Sequence, residues 1–271
     1  THLAQHPEDH GSLLILNYPA NPDGCSYDAG ELEALAVVAK QYALTVLSDE
    51  IYSMLVYNST PLSIAQWYPE GTIVSTGLSK WCGAGGWRLG CFAFPPDLFA
   101  LRDALAVTAS ETFSSVSAPI QYAAVEAFAY GEDVENYVRH TQRLLAALAR
   151  NIVGRLREHG VQVCTPDGAY YLFVDFAQFK ASLAQRGIHT SQELCGRLLQ
   201  ETGVAILAGS HFYRPAEELT ARLAFVDFAG DEVLKASVAL GLDAQLDSEF
   251  IEKHFAKVLA GIEFIGRWLS P

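Results

Sequence analysis

Basic residues are scarce in this chain. Eighteen Lys and Arg stand against 31 Asp and Glu, a formal charge of −13, and no stretch gathers the cations into a block. A surface that holds a polyanion needs the opposite balance, so neither nucleic acid nor an anionic membrane is expected as a partner. Long apolar runs are missing too, and the opening residues THLAQHPEDHG carry neither a basic nor an apolar region. Neither a membrane anchor nor a secretion signal is therefore expected. The cysteines are few and unmatched. Cys25, Cys82, Cys91, Cys164 and Cys195 form no C-x-x-C pair, have no histidine at zinc spacing, and are odd in number. That argues against a disulfide framework and for reduced thiols in a cytoplasmic setting. His2, His6 and His10 repeat every four residues, but Pro7 and Gly11 spoil the helix that would align them, so no metal site is expected. No internal repeat or low-complexity segment suggests a solenoid or a linker array.

What is present is a chain of 271 residues, half of them hydrophobic and 18% charged, enough for one large core or two ordinary ones. LLILNYP reads as a buried strand, and Ser26 to Leu44 has helical spacing with acids in its first turn. TVLSDEIY, TIVSTGLSK and WRLGCFAF repeat the strand pattern, so the first half predicts an α/β arrangement with a mostly parallel sheet between helices. After Pro95 the texture turns helical, over Asp97 to Ala109, Ala118 to Tyr130 and Val134 to His159, the last linking two domains. The rest is α+β in character: two strands around a turn in VQVCTPDGAYYLFVDF, a capping box from Thr190 to Glu193, strands VAILAG and ARLAFV, then helices. The apolar stripes of Val134 to His159 and Ser248 to Leu269 are expected to face the core.

The chemistry concentrates in STGLSKWCGAGGWRLG, Ser75 to Gly90. Its glycines fit neither common phosphate motif, since the dinucleotide pattern would need glycine where Arg88 stands and a P-loop would need its lysine after the glycines. Lys80 sits instead among small and apolar residues, where an amine sheds its proton more easily and can attack an aldehyde. Arg88 offers a fork of donors suited to a phosphate, and Ser79 a hydroxyl. Pyridoxal 5′-phosphate is an aldehyde that carries a phosphate. Its ring nitrogen needs a carboxylate, which Asp49 in SDEIY can supply, and its ring oxygen needs donors, for which Tyr52 and Asn21 are candidates. Cys82, beside the lysine, reads as a small packing residue.

NPDG, SDEIY and SKWCGAGGWRLG, in this order, resemble the signature of the class I/II aminotransferases, pyridoxal-phosphate enzymes of fold type I. The intervals agree: 28 residues separate Asn21 from Asp49 and Tyr52 from Lys80, and eight separate Lys80 from Arg88. The resemblance implies Lys80 as Schiff-base lysine and proton shuttle, Asp49 on the pyridine nitrogen, Asn21 and Tyr52 on the ring oxygen, and Ser79 and Arg88 on the phosphate. ARLAFVDFAG resembles the late strand whose arginine, here Arg222, grips the substrate carboxylate, and PDGAYYLF would bring Tyr170 or Tyr171 near the substrate. The implied protein is a homodimer that moves an amino group between an L-amino acid and a 2-oxo acid. Its cofactor domain would span 1–145, its small domain 146–271. A β-lyase on the same scaffold, or a non-catalytic aminotransferase-like fragment or regulatory domain, are the alternatives. Two departures stand out. The family has a further N-terminal stretch of roughly 100 residues or more, a domain-scale length, and the opening on Thr1 suggests that such a stretch precedes this chain. Gly77 occupies a position where many members carry a hydroxyl that touches phosphate.

Overall fold

The computed structural model describes residues 13–57 and 60–270, so His2, His6 and His10 lie outside the described residues. It divides into two compact units, one made of Ser26–Val138 with the stretch ending at Pro19, the other of Ala20–Cys25 and Arg139–Pro271.

The first unit carries a four-stranded sheet in the order β1 (Leu13–Asn17), β2 (Thr45–Asp49), β3 (Thr72–Gly77), β4 (Gly90–Ala93). The first three strands are parallel, and β4 runs antiparallel to β3, which meets the expectation of a mostly parallel sheet. Helix α1 (Ala29–Gln41) supplies the crossover from β1 to β2. It starts on a reciprocal cap: Asp28 accepts from the Glu31 amide at 2.8 Å while Glu31 accepts from the Asp28 amide at 2.9 Å, worth about 1 kcal/mol. Leu32, Ala36 and Ala39 of that helix pack with Leu16, Val46 and Ile64 to form the core of this unit. The expectation of strands apolar and covered on both faces is met on one face only. Leu13 and Ile15 on β1 are exposed, every residue of β4 is exposed, and helix α2 (Phe99–Thr112) buries none of its residues. Helix α3 (Ala118–Ala129) follows, with Ala124 its buried residue.

The division between the units falls inside helix α4 (Glu132–Glu158). The second unit holds an antiparallel sheet in the order β5 (Gln162–Val163), β6 (Tyr171–Asp175), β8 (Thr220–Ala224), β7 (Leu207–Ala208). Around it lie α5 (Lys180–Gln185), α6 (Ser191–Thr202), α7 (Gly230–Leu240), α8 (Ser248–His254) and α9 (Ala256–Leu269). The capping box at Thr190 is present, with Thr190 Oγ1 accepting from the Glu193 amide and Glu193 from the Thr190 amide. Ser248 to Leu269, which the apolar stripe suggests as one helix, is two. The break falls at Phe255, whose ring is fully buried edge-on against Phe228 at 4.8 Å.

His140 is buried within this unit, its Nδ1 2.8 Å from the Ser237 hydroxyl. Burial first, then the charges of Arg143 and Arg139, hold its pKa below the ordinary value of 6.5. The unfolded chain therefore binds a proton more readily than the folded one. The contribution is fully present above about pH 6.5 and is lost as pH falls through the window below it. Thermal unfolding followed between pH 7.5 and 5.5 should show a larger loss for the wild-type chain than for His140→Gln.

Candidate functional site

Three of the expected site residues come together where parallel strands end. Asp49 is the last residue of β2 and pairs in register with Ser75 of β3, at the carboxyl edge where α/β sheets place their ligands. Its carboxylate accepts from Asn17 Nδ2 at 3.1 Å and from the Ile51 amide at 3.4 Å. Burial raises its pKa, and those two donors pull it back. The side chain is half-buried, as are Leu47 and Ile51, while the fully buried face of this strand belongs to Val46 and Ser48. Tyr52, buried, opens the 3-10 turn Ser53–Leu55, and Lys80 Nζ lies 5.7 Å from the centre of its ring.

Lys80 stands in the turn after β3. Two backbone bonds close that turn, Gly83 N to Lys80 O and Ala84 N to Leu78 O, each 3.1 Å. Trp81 anchors it from below, buried against Phe128 and Tyr130 at 5.9 and 6.4 Å between ring centres. Ser79 is half-buried beside it. Arg88 is exposed with φ +56, and its Nη1 donates to Gly85 O at 2.6 Å. It lines a hollow of about 620 Å³ together with Ser75, Ser115 and Ser117, and Lys80 does not line that hollow. Gly77 has a steric cause. It faces Gly90 across the β3–β4 pair, and a Cβ there would stand 2.6 Å from Leu89 O and 3.0 Å from Gly90 Cα. Both obstacles are backbone, so no hydroxyl-bearing residue fits. Gly77→Ser should lower stability by roughly 1–3 kcal/mol, read as a fall in the thermal midpoint, without tighter cofactor binding.

The remaining candidates belong to the second unit. Arg222 sits mid-way along β8, in register with Phe173 of β6 and Leu207 of β7. Its guanidinium lies 4.6 Å from the ring centre of Tyr171 and 5.1 Å from that of Phe212. Nη1 donates to Asn21 Oδ1 at 2.8 Å, and Nε is buried with no hydrogen-bond partner among the described residues. Asn21 is itself exposed, but its NPDG turn is held firmly. Gly24 O accepts from the amides of Asp167 and Gly168 at 2.9 and 3.1 Å. With φ +75, a Cβ on Gly24 would stand 2.6 Å from Pro166 Cβ, so only glycine fits there. Of the two tyrosines in PDGAYYLF, it is the Tyr171 ring that lies against Arg222, with Tyr170 4.7 Å beyond.

Sequence reasoning missed Asn17, Glu50 and Phe212. Asn17 had a signal, being the polar residue that ends the apolar run LLIL, whereas Phe212 lies in a 3-10 turn with no pattern to mark it. The donor set fits pyridoxal 5′-phosphate on two counts. Asp49 is a partly desolvated carboxylate with no cation at salt-bridge distance among the described residues, and Lys80 stands one turn away over a buried tyrosine.

Comparison with known proteins identifies the family. The family model described as aminotransferase class I and II matches residues 1–229. An asparagine–oxo-acid transaminase of Streptococcus mutans is 33% identical over 207 residues, covering 75% of this chain and 51% of that protein. An aspartate aminotransferase of a Bacillus species is 33% identical over 213 residues, 77% of this chain and 52% of its own length. Among solved structures, an aromatic aminotransferase from Pyrococcus horikoshii superposes with a TM-score of 0.75 at 26% identity, covering 95% of this chain and 60% of that one. An aspartate aminotransferase variant from Thermus thermophilus, at 24% identity and a TM-score of 0.74, shares the fold over 94% of this chain and 56% of its own. The chain thus spans about half the length of the curated relatives it matches.

Proposed function

The chain belongs to the class I and II aminotransferases, and from that premise we propose that it acts in pyridoxal-phosphate-dependent transfer of an amino group between an L-amino acid and a 2-oxo acid. The observation that carries the reading furthest is the meeting of Asp49, Tyr52 and Lys80 at the carboxyl ends of β2 and β3. Amino transfer is favoured over β-elimination by the names of the relatives, an asparagine–oxo-acid transaminase and an aspartate aminotransferase.

When bound, the cofactor supplies an aldehyde and an electron sink. Every other duty falls to this chain's residues. Lys80 would hold the cofactor's aldehyde through its amine and would be the base for the proton on the substrate Cα. Asp49, held by Asn17, keeps a proton on the ring nitrogen. Tyr52 and Asn21 would donate to the ring oxygen, while Ser79 and Arg88 would hold the phosphate. Arg222, stacked on Tyr171, takes the substrate carboxylate in a two-pronged pair. A homodimer in the cytoplasm is part of the same proposal, in keeping with five cysteines that are all free thiols. No helix among the described residues is long and apolar enough to cross a membrane.

The test is a spectral titration of the chain with pyridoxal 5′-phosphate, followed by a panel of amino acids and then of 2-oxo acids. Conversion of the cofactor to its amine form, reversed by an oxo acid, is the expected result. Release of pyruvate and ammonia without an acceptor would replace it with the lyase, and binding without conversion would sink the catalytic reading.

A further inference from the structure

A carboxylate that this chemistry leaves unused is buried beside the one it needs. Glu50 follows Asp49, and strand alternation turns it to the opposite side, with Val46 and Ser48, where it is 8% exposed. Its Oε1 accepts from three hydroxyls on three segments: Ser63 at 2.5 Å, Ser48 at 2.8 Å and Tyr18 at 3.3 Å. The Tyr18 hydroxyl also lies 2.9 Å from Ser48 Oγ and accepts from the Ile64 amide at 2.9 Å, which ties the collar to the segment after Ser63. Burial raises the pKa of Glu50 and the three hydroxyls oppose it; Asp49 adds a smaller repulsion, and Tyr18 is the other titratable group facing it. The backbone of the same residue is tied at both ends. Glu50 N donates to Ser75 O at 2.8 Å, and Glu50 O accepts from Ser53 N at 3.0 Å.

Two of the anchored segments adjoin Asp49, and the third ties the turn to a separate stretch of chain. Tyr18 follows Asn17, which grips Asp49; Ser48 precedes Asp49; and Ser63 caps the short turn Ile64–Gln66. An apolar side chain could fill the same space, but it would recruit none of these hydroxyls. We propose that Glu50 is a positioning residue: its hydroxyl collar fixes the turn at its own Cα, so that the Asp49 carboxylate one residue before and the Tyr52 side chain two residues after keep their directions. This rests on the reading of Asp49 and Tyr52 as cofactor contacts.

Glutamine and alanine separate the collar from the charge. Glu50→Gln keeps an acceptor oxygen in the same shape, and Glu50→Ala leaves the hydroxyls without theirs. Two readouts are taken on the full chain. One is the affinity for pyridoxal 5′-phosphate, from absorbance and borohydride labelling of Lys80. The other is amide hydrogen exchange at Ile51–Ser53 without cofactor. The alanine variant should lose about tenfold in affinity and in protection, and the glutamine variant should return both to within about threefold of wild type. Wild-type values in the alanine variant, or equal deficits in both variants, would overturn the proposal. Should the alanine variant fail to fold, Ser63→Ala takes its place, with a smaller loss of both expected and wild-type behaviour counting against the collar. If wild-type protein takes no label at Lys80, the cofactor reading fails by itself, and the exchange arm still decides whether glutamine protects the turn where alanine does not.

Discussion

Lys80→Ala protein, incubated with pyridoxal 5′-phosphate and reduced with borohydride, is expected to carry no specific label, whereas the wild-type chain carries one on Lys80. The contrast with other lysines sharpens this. Lys40, Lys235 and Lys257 are each paired with a carboxylate, Glu70 at 3.2 Å, Asp231 at 3.4 Å and Asp227 at 2.9 Å. An amine held by a carboxylate would have to leave it before it could meet an aldehyde. Lys80, like Lys180 and Lys253, is in no ion pair among the described residues, and it differs from those two in lying over a buried ring, that of Tyr52, at a strand end. On the proposed function, losing it would remove both the nucleophile and the group that moves the Cα proton, and positioned proton transfer alone is worth about 10²–10⁴ in rate. Stability should hardly change, because a half-buried side chain with one ring contact is worth within about 0.5 kcal/mol of nothing. Retention of the label at the wild-type level in Lys80→Ala, or its appearance at Lys40 or Lys257 in the wild type, would end the assignment.

Much of this site was legible because its residues are local. NPDG, SDEIY and SKWCGAGGWRLG each place their chemistry within a few residues of a strand end, so strand recognition alone puts Asp49 and Lys80 at the carboxyl edge of the sheet. Asn17 carried only the signal of a polar strand end, and Glu50 none, since their roles depend on which segment lies beside which. Asn17 meets Asp49 through the β1–β2 register, and Glu50 meets Ser63 thirteen positions further along the chain. The side chain of Asp49 shares the half-buried face of its strand with Leu47 and Ile51, and the sealed face belongs to the residues in between. Gly77 looked like a lost phosphate donor, and the β3–β4 contact gives it a packing reason instead. The exposure of Leu13, Ile15 and all of β4 had no trace in the pattern either, because alternation reports which residues are apolar and not which faces find a cover.

Arg222→Lys should lower kcat/KM for amino acids by roughly a hundredfold, close to 2.7 kcal/mol of transition-state stabilisation, while leaving affinity for pyridoxal 5′-phosphate unchanged. Lysine keeps the charge and loses the geometry. The guanidinium is oriented from three directions, by the ring of Tyr171, the ring of Phe212 and the Asn21 carbonyl on Nη1. Its buried, unpartnered Nε is a donor that a carboxylate would satisfy, and the return on that bond is large because an unmet buried donor costs about 1–3 kcal/mol. An ammonium has no plane to stack and no fork to present. The decisive comparison is between an amino acid and the corresponding amine without its carboxylate. If Arg222 reads the carboxylate, the substitution penalises the first and spares the second. An equal penalty on both, or a parallel loss of cofactor affinity, would mean that Arg222 supports the second unit's sheet and that the carboxylate is held elsewhere.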